Sequence, residues 1–407
     1  MFNWNDTFYR ESTNYFTLLP LQLFAKSNQN HYLKPTLNRL GLLNAIQIFA
    51  NESLENEEIV NSWIDNTMKE GRREVYIEGY DNNPFVQAKL TNDEYVVDKL
   101  NKKILNMNNQ HIIGNRYNEN FKLAKYAIEK GAFGRVITLY MCKLIYCTEE
   151  NRRENNLSVQ LYPVVVEVFV DKGYIVTSVK TKSNLFVYNS ETKNITDLET
   201  TTCEKQANKA REMALAMLEI NPTTDNNVDR LKTQLYLLLE ACTQTPNEIK
   251  QLIEENKESI TKITQSVMGE ICNLESCYEQ DVRWDVQNMI EKYFSMTYPD
   301  KSIFTKNRKA YPIKLDAIDQ QSSRVQQTSS LEQPLQSKDI FFDNKKMLQK
   351  NRKCENVKFS FERKSSLYCN DRFNVLISVS RRYCVIKFAK YTVREDIENV
   401  LHSIIGA

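Results

Sequence analysis

Glycine is scarce. Nine occur in 407 residues, and neither GxGxxG nor GxxxxGK[ST] is present, which excludes the two commonest backbone cradles for nucleotide phosphates. Histidine is scarcer still: His31, His111 and His402 stand far apart in sequence, a poor basis for metal or acid–base chemistry that depends on several imidazoles. The nine cysteines are an odd number without dense spacing, so they read as reduced core residues rather than a disulfide framework. No apolar run approaches the roughly 20 residues that cross a bilayer. The N-terminal MFNWNDTFYRESTNYF is polar and has no signal-peptide core. The expectation is a soluble, cytoplasmic protein with no membrane partner, no cofactor and no resident metal.

What is present is length and an uneven charge. The chain is long enough for two or three domains. Net charge is only +2, yet Lys338–Arg394 carries 15 Lys/Arg against 5 Asp/Glu, while residues 1–337 are net −5. Positive charge is therefore concentrated towards the C-terminus.

The least ambiguous structural stretch is Leu161–Tyr188, LYPVVVEVFVDKGYIVTSVKTKSNLFVY. Two β-branched runs flank Asp171-Lys172-Gly173, and Gly173 suits the positive φ of a tight connection. Pairing Val170 with Tyr174 places Glu167 opposite Thr177 and leaves both faces apolar, which predicts a central hairpin covered on both sides. Before it, helices are predicted over Pro35–Ala50, Glu57–Lys69, Asn92–Met107 and Tyr117–Lys130, the last stopped by Gly131. Short strands are predicted at Glu74–Glu78 and Arg135–Cys147. Thr201–Ile220 reads as a helix with a Thr201/Glu204 capping box and an Ala207, Ala210, Ala214 stripe made for close packing on another helix.

The expected fold class is α+β: an antiparallel meander with N-terminal helices in residues 1–190, an antiparallel helical bundle over 200–298, and a small C-terminal α-β-β-β-α module over 338–407. The Gln/Ser/Thr-rich segment 316–337 reads as a linker. In the module, Thr392 and Glu395 form a capping box for the final helix.

The C-terminal module carries the main functional expectation. Lys345, Lys346, Lys350, Arg352 and Lys353 precede its sheet. Lys358, Lys364, Arg372, Arg381, Arg382, Tyr383 and Lys387 lie on or between its strands. A basic sheet face with tyrosine suits phosphate contact and base stacking, so a non-catalytic nucleic-acid-binding protein, DNA- or RNA-binding, is the first reading. The element order resembles the double-stranded RNA-binding domain in topology alone. That family's basic cluster opens its second helix, where this chain has Thr392-Val-Arg-Glu-Asp396, and its glycine-bearing loop is missing.

Two alternatives stand beside this reading. Glu362-Arg363-Lys364 has the ExK spacing of a metal-dependent nuclease strand, with Asp339 and Asp343 as upstream acids. The third reading is a protein-binding subunit of a larger assembly. Lys180 and Lys182, at period two near Asn184, leave one strand face and suit either phosphate or solvent. Cys142/Cys147 and Cys272/Cys277 share C-x₄-C spacing, but a five-residue step separates the side chains on strand or helix, so zinc is not expected. Gly131-Ala-Phe-Gly134 spells GxxG and is better explained as a turn into a strand. Ile249–Val267 reads as bundle rather than helix-turn-helix, because Glu254, Glu255 and Glu258 repel phosphate.

Overall fold

The computed structural model describes all residues except 1, 3, 5–14, 29, 108–110, 113–114, 132, 149–156, 189–197, 224–226, 319–323, 330–331, 365–371 and 407. It is a mixed α+β protein whose strand ladders run antiparallel. Two compact units are present. One comprises Met1–Asn227, Lys364–Cys369 and Arg382–Gly406; the other comprises Val228–Arg363 and Asn370–Arg381. Among the described residues no helix is long and apolar enough to cross a membrane.

The first unit opens with α1 (Leu18–Ser27), α2 (Arg39–Glu52) and α3 (Leu54–Thr67). The Asn38 side chain accepts from the Gly41 N–H and that of Ser53 from the Asn56 N–H, satisfying orphan donors at the starts of α2 and α3. Then come β1 (Arg73–Gly79), α4 (Pro84–Thr91) and α5 (Asp93–Asn101). The remaining strands of this part are β2 (Lys122–Gly131), β3 (Gly134–Thr148), β4 (Leu157–Phe169), β5 (Tyr174–Lys180), β6 (Leu185–Tyr188) and β7 (Leu198–Thr201), followed by α6 (Cys203–Leu218). Strand order is β7-β6-β3-β4-β5-β1, with β2 pairing the other half of the β3 edge that β6 uses.

Alternation along these strands feeds two cores. Leu139, Met141, Val164, Val166, Ile175 and Val179 pack with Val96, Leu100, Ala207, Ala210 and Ala214 on one face. Tyr140, Cys142, Leu161 and Val165 pack with Phe24, Leu42, Ile46, Val60 and Ile64 of α1–α3 on the other. Val164, Val165 and Val166 are fully buried, each contributing about 1.5–3 kcal/mol by leaving water.

The hairpin forms with its register moved by one residue. Phe169, not Val170, pairs with Tyr174, and Glu167 faces Val176. The N–H groups of Lys172 and Gly173 both donate to the Phe169 carbonyl (3.2 and 3.0 Å), closing a longer connection that ends on Gly173 at φ +71°. The shift puts Ile175 and Val179 on the face of Val164 and Val166, where pairing Val170 with Tyr174 would have put them on the face of Val165.

Three further expectations are corrected. Residues 117–130 hold strand β2, not a helix: Leu123, Tyr126 and Ile128 face the α6 core, and Gly131 pairs with Gly134 where the β2–β3 ladder closes. The ladder with β3 outweighs a local helical stripe of Phe121, Ala124 and Ala127. Thr202, not Thr201, caps α6 by accepting from the Lys205 N–H. α6 packs on β4 and β5 as well as on the helix α5, and it belongs to the sheet unit and not to a 200–298 bundle.

The second unit contains α7 (Asn227–Cys242), α8 (Asn247–Glu255), α9 (Lys257–Ser266), α10 (Glu279–Thr297), β8 (Ala310–Ile318), β9 (Arg324–Thr328), α11 (Asp339–Asn351), β10 (Asn356–Glu362) and β11 (Arg372–Val379). Its strands run β11-β10-β8-β9, and α8, α9 and α11 pack on α10. The expected linker 316–337 thus includes the end of β8, all of β9 and a 3-10 turn, Leu335–Ser337. Two of its glutamines serve as buried polar groups: Gln327 Nε2 donates to the Ile340 carbonyl (2.6 Å) and Gln336 Nε2 to that of Thr243 (2.6 Å).

The chain then returns to the first unit. β12 (Cys384–Phe388) pairs with β1, Tyr76 facing Val385. In α12 (Arg394–Ile405), Ile397 and Leu401 lie beside Val75 and Val176. The stretch 338–407 is therefore divided between units rather than forming a module of its own. Thr392 does not cap α12; its hydroxyl donates to the Lys390 carbonyl (3.0 Å), and Val393 holds the cap position without a side-chain bond.

Ala210 is fully buried between α6 and the sheet. Ala210→Leu is expected to destabilise the protein by about 1–3 kcal/mol through overpacking, read as a lower urea midpoint. An unchanged midpoint would show that α6 has room to spare.

Candidate anion-binding cleft

Where α1–α3 meet the ends of β4 and β5, the first unit encloses a cleft of about 620 Å³. Its walls include Arg39, Arg72, Lys180 and Lys182, with Glu70 as the one acidic residue among the described lining. Each cation arrives from a different element. Arg39 is the first residue of α2, and its Nε donates to the Phe16 carbonyl (2.8 Å). Arg72 immediately precedes β1, and its carbonyl accepts from the Thr181 N–H (2.9 Å), joining the two strand ends. Pairing of Arg73 with Lys180 sets this alignment. Gly71, at φ +107°, makes the turn from α3 into β1, a backbone region that side chains disfavour.

Behind the wall lies Arg73, fully buried. Its guanidinium is held by neutral groups: Nε donates to the Glu70 carbonyl (2.8 Å), Nη1 to Ser178 Oγ (3.2 Å), and Nη2 to Tyr15 Oη (3.0 Å) and the Met68 carbonyl. Tyr15 also receives Lys180. The lysine Nζ donates to the Tyr15 carbonyl and sits 4.0 Å from its ring centroid, a cation–π position.

These cations crowd one another. Burial pushes the Lys180 ammonium well below the ordinary lysine value, and Lys182, Arg73 and Arg39 add repulsion. Burial also lowers Arg39. Burial raises the Glu70 carboxyl, which accepts hydrogen bonds from Tyr391 Oη (2.9 Å) and the Arg394 N–H (3.3 Å). Gln160, 2% exposed, also lines the cleft, and its Nε2 has no hydrogen-bond partner among the described residues. A buried donor without an acceptor is costly. Thr67, Thr148, Ser158, Thr181 and Ser183 add hydroxyls. Chemically, the arrangement offers several positive donors, which suit an anion better than a cation.

The residues expected to meet a polyanion are distributed otherwise. Lys345 pairs with Glu291 (2.6 Å), Lys353 with Asp229 (2.9 Å) and Lys358 with Glu332 (3.8 Å). Arg382 lies 3.4 Å from Glu78 and Lys387 3.4 Å from Glu74. Arg372 donates to the Ser360 carbonyl (2.9 Å) and stacks 4.6 Å from the Tyr311 ring centroid. Tyr383 is buried, with its hydroxyl on Glu204. Lys350, Arg352, Lys364 and Arg381 are exposed. The side chain of Lys346 lies outside the described residues.

Glu362 is exposed on β10, opposite Arg372. The Lys364 N–H donates to Asp396 (2.7 Å), and Asp343 pairs with Lys292 (2.9 Å). Among the described residues no three His, Cys, Asp or Glu side chains converge as metal ligands. Cys142 and Cys147 fall in opposite cores.

Lys180 and Lys182 were visible in the sequence as a period-two pair. Arg39, Arg72 and Gln160 carried no such signal, since they meet only through tertiary pairing. No family model, curated protein or solved structure matches the chain.

The Lys180 environment makes stability depend on pH. The unfolded chain holds this proton to about pH 10.4, whereas the folded ligand-free chain releases it at lower pH. Between those values the unfolded state binds more protons, so this group's contribution to stability rises with pH. Lys180→Met is expected to be more stable than the parent at pH 7, with the difference closing towards pH 10. Urea denaturation at both pH values measures it; an equal difference at the two would mean that Lys180 is not desolvated.

Proposed function

We propose that the first unit is a non-catalytic binding module for a phosphate-bearing ligand held in this cleft. The observation that carries the reading is the convergence of Arg39, Arg72, Lys180 and Lys182 on one partly enclosed cavity that Gln160 also lines. Two guanidinium groups offer forked donors to phosphate oxygens, and two ammonium groups neutralise a dianion. Bound phosphate would offset the burial and the repulsion that together lower Lys180 and would supply an acceptor for buried donors.

The polymeric version of the same chemistry, nucleic-acid binding through residues 338–394, has weaker support. It rests on Lys350, Arg352, Lys364 and Arg381, the members of the expected face that stay exposed and have no ion-pair partner among the described residues. The nuclease alternative needs an acid beside Glu362 and Lys364 to share a metal. A protein-binding role for the second unit is favoured by Ile271, Tyr278, Met289 and Tyr293, which are exposed on its helical part.

Calorimetric titration separates these readings. Inorganic phosphate and pyrophosphate are expected to bind the full chain, more weakly as salt rises. Lys182→Ala and Arg72→Ala should each reduce affinity about tenfold, the loss of one charge-assisted hydrogen bond. Lys350→Ala/Arg352→Ala should leave phosphate affinity unchanged. If the two cleft variants bind like the parent while the Lys350/Arg352 variant loses oligonucleotide binding, the C-terminal nucleic-acid reading replaces this one.

A further inference from the structure

A second cavity of about 620 Å³ adjoins the cationic cleft. The two share Pro20, Glu70 and Tyr391 as lining residues. Beyond that shared wall the chemistry changes. Leu23, Phe24, Ile59, Trp63 and Val393 make the second chamber mainly apolar. Its walls are set by aromatic packing: Trp63 stacks on Phe16 at 5.3 Å with an interplanar angle of 26°, and its ring lies 4.7 Å from that of Phe24. Such a preformed apolar hollow beside a few convergent polar groups is the usual form of a small-molecule site.

The charged residues of the second chamber all have one sign. Among the described residues Glu55, Glu58 and Glu70 line it, and no lysine or arginine does. A ligand entering both chambers therefore meets cations at one end and carboxylates at the other. A second anionic group on that ligand would be repelled, as would successive phosphates of a strand. An uncharged carbon body suits the apolar walls.

From this juxtaposition we infer that the ligand is a small organic phosphate. Its single anionic head lies among Arg39, Arg72, Lys180 and Lys182, and its apolar ring or short chain lies against Leu23, Ile59 and Trp63. The inference rests on the phosphate reading of the cleft and adds the class of molecule that carries the phosphate. Tyr391, whose hydroxyl is fixed on Glu70 (2.9 Å), stands at the join and marks where head gives way to body.

The test compares inorganic phosphate, phenyl phosphate and hexyl phosphate on the full chain by calorimetry. Trp63 fluorescence is followed in parallel, with Trp63→Phe identifying its signal. Both esters are expected to bind at least about tenfold tighter than inorganic phosphate, since each buries an apolar body. Phenyl phosphate should perturb Trp63 emission and inorganic phosphate should not. Ile59→Asp, at a position 37% exposed and so tolerant of change, should erase the advantage of the esters while leaving inorganic phosphate affinity intact. Equal affinity for all three compounds in the parent chain would overturn the inference and leave the phosphate reading standing. Failure of all three to bind would overturn both. Because the series is run first on the unmodified chain, misfolding of a variant does not affect the outcome.

Discussion

Burial of both faces of the β3–β4–β5–β1 sheet is the constraint on which the first unit depends. β3 and β4 each supply side chains to two cores, so neither strand is indifferent to register. The site inherits its geometry from that alternation. Lys180 ends β5 with its ammonium against Tyr15, on the face covered by α1–α3. A slip of one position would carry that charge towards the alanine face of α6. The desolvation that makes Lys180 a candidate for anion recognition thus follows from the packing that makes the sheet stable.

Polar groups buried at the rim of this sheet fall into two kinds. Some are paired within the chain: Arg211 meets Glu78 at 2.5 Å, and Lys69 meets Glu167 at 2.7 Å. Such pairs fix orientation more than they add stability, since desolvation offsets much of their attraction. Arg73 and Lys180 beside the cleft are of the other kind, leaning on carbonyls, hydroxyls and an aromatic ring. Leaving charge compensated only by neutral groups costs stability, and such arrangements concentrate at functional sites.

Several features of this architecture were legible in the sequence, and the misses have physical causes. The β4–β5 hairpin was readable because two β-branched runs meet at a glycine turn, and its register was off because the turn is longer than the shortest solution. Residues 122–131 present a helical stripe and a strand alternation at once, and only pairing with β3 decides between them. The glutamines of 316–337 look like linker composition until Gln327 and Gln336 find buried carbonyls. The basic C-terminal stretch misled for a related reason. A local charge count does not include Glu74, Glu78, Asp229 or Glu291, which lie far away along the chain yet pair with its cations. Half of the cleft was visible as Lys180 and Lys182; the other half is assembled by tertiary contact.

The pairing of Arg73–Ile77 with Cys384–Phe388 has a consequence for how the protein is made. A ribosome delivers β1 some three hundred residues before its neighbour β12, and until then that edge of the sheet has no strand to cover it. Helices α1–α3 and the β2–β5 ladders can assemble while translation continues, but closure of this unit waits for β12 to emerge. Joining segments so distant is slow, because the intervening loop must lose entropy before the contact rewards it. An open strand edge during that interval is a template for self-association, so a nascent chain of this design gains from chaperone cover late in synthesis.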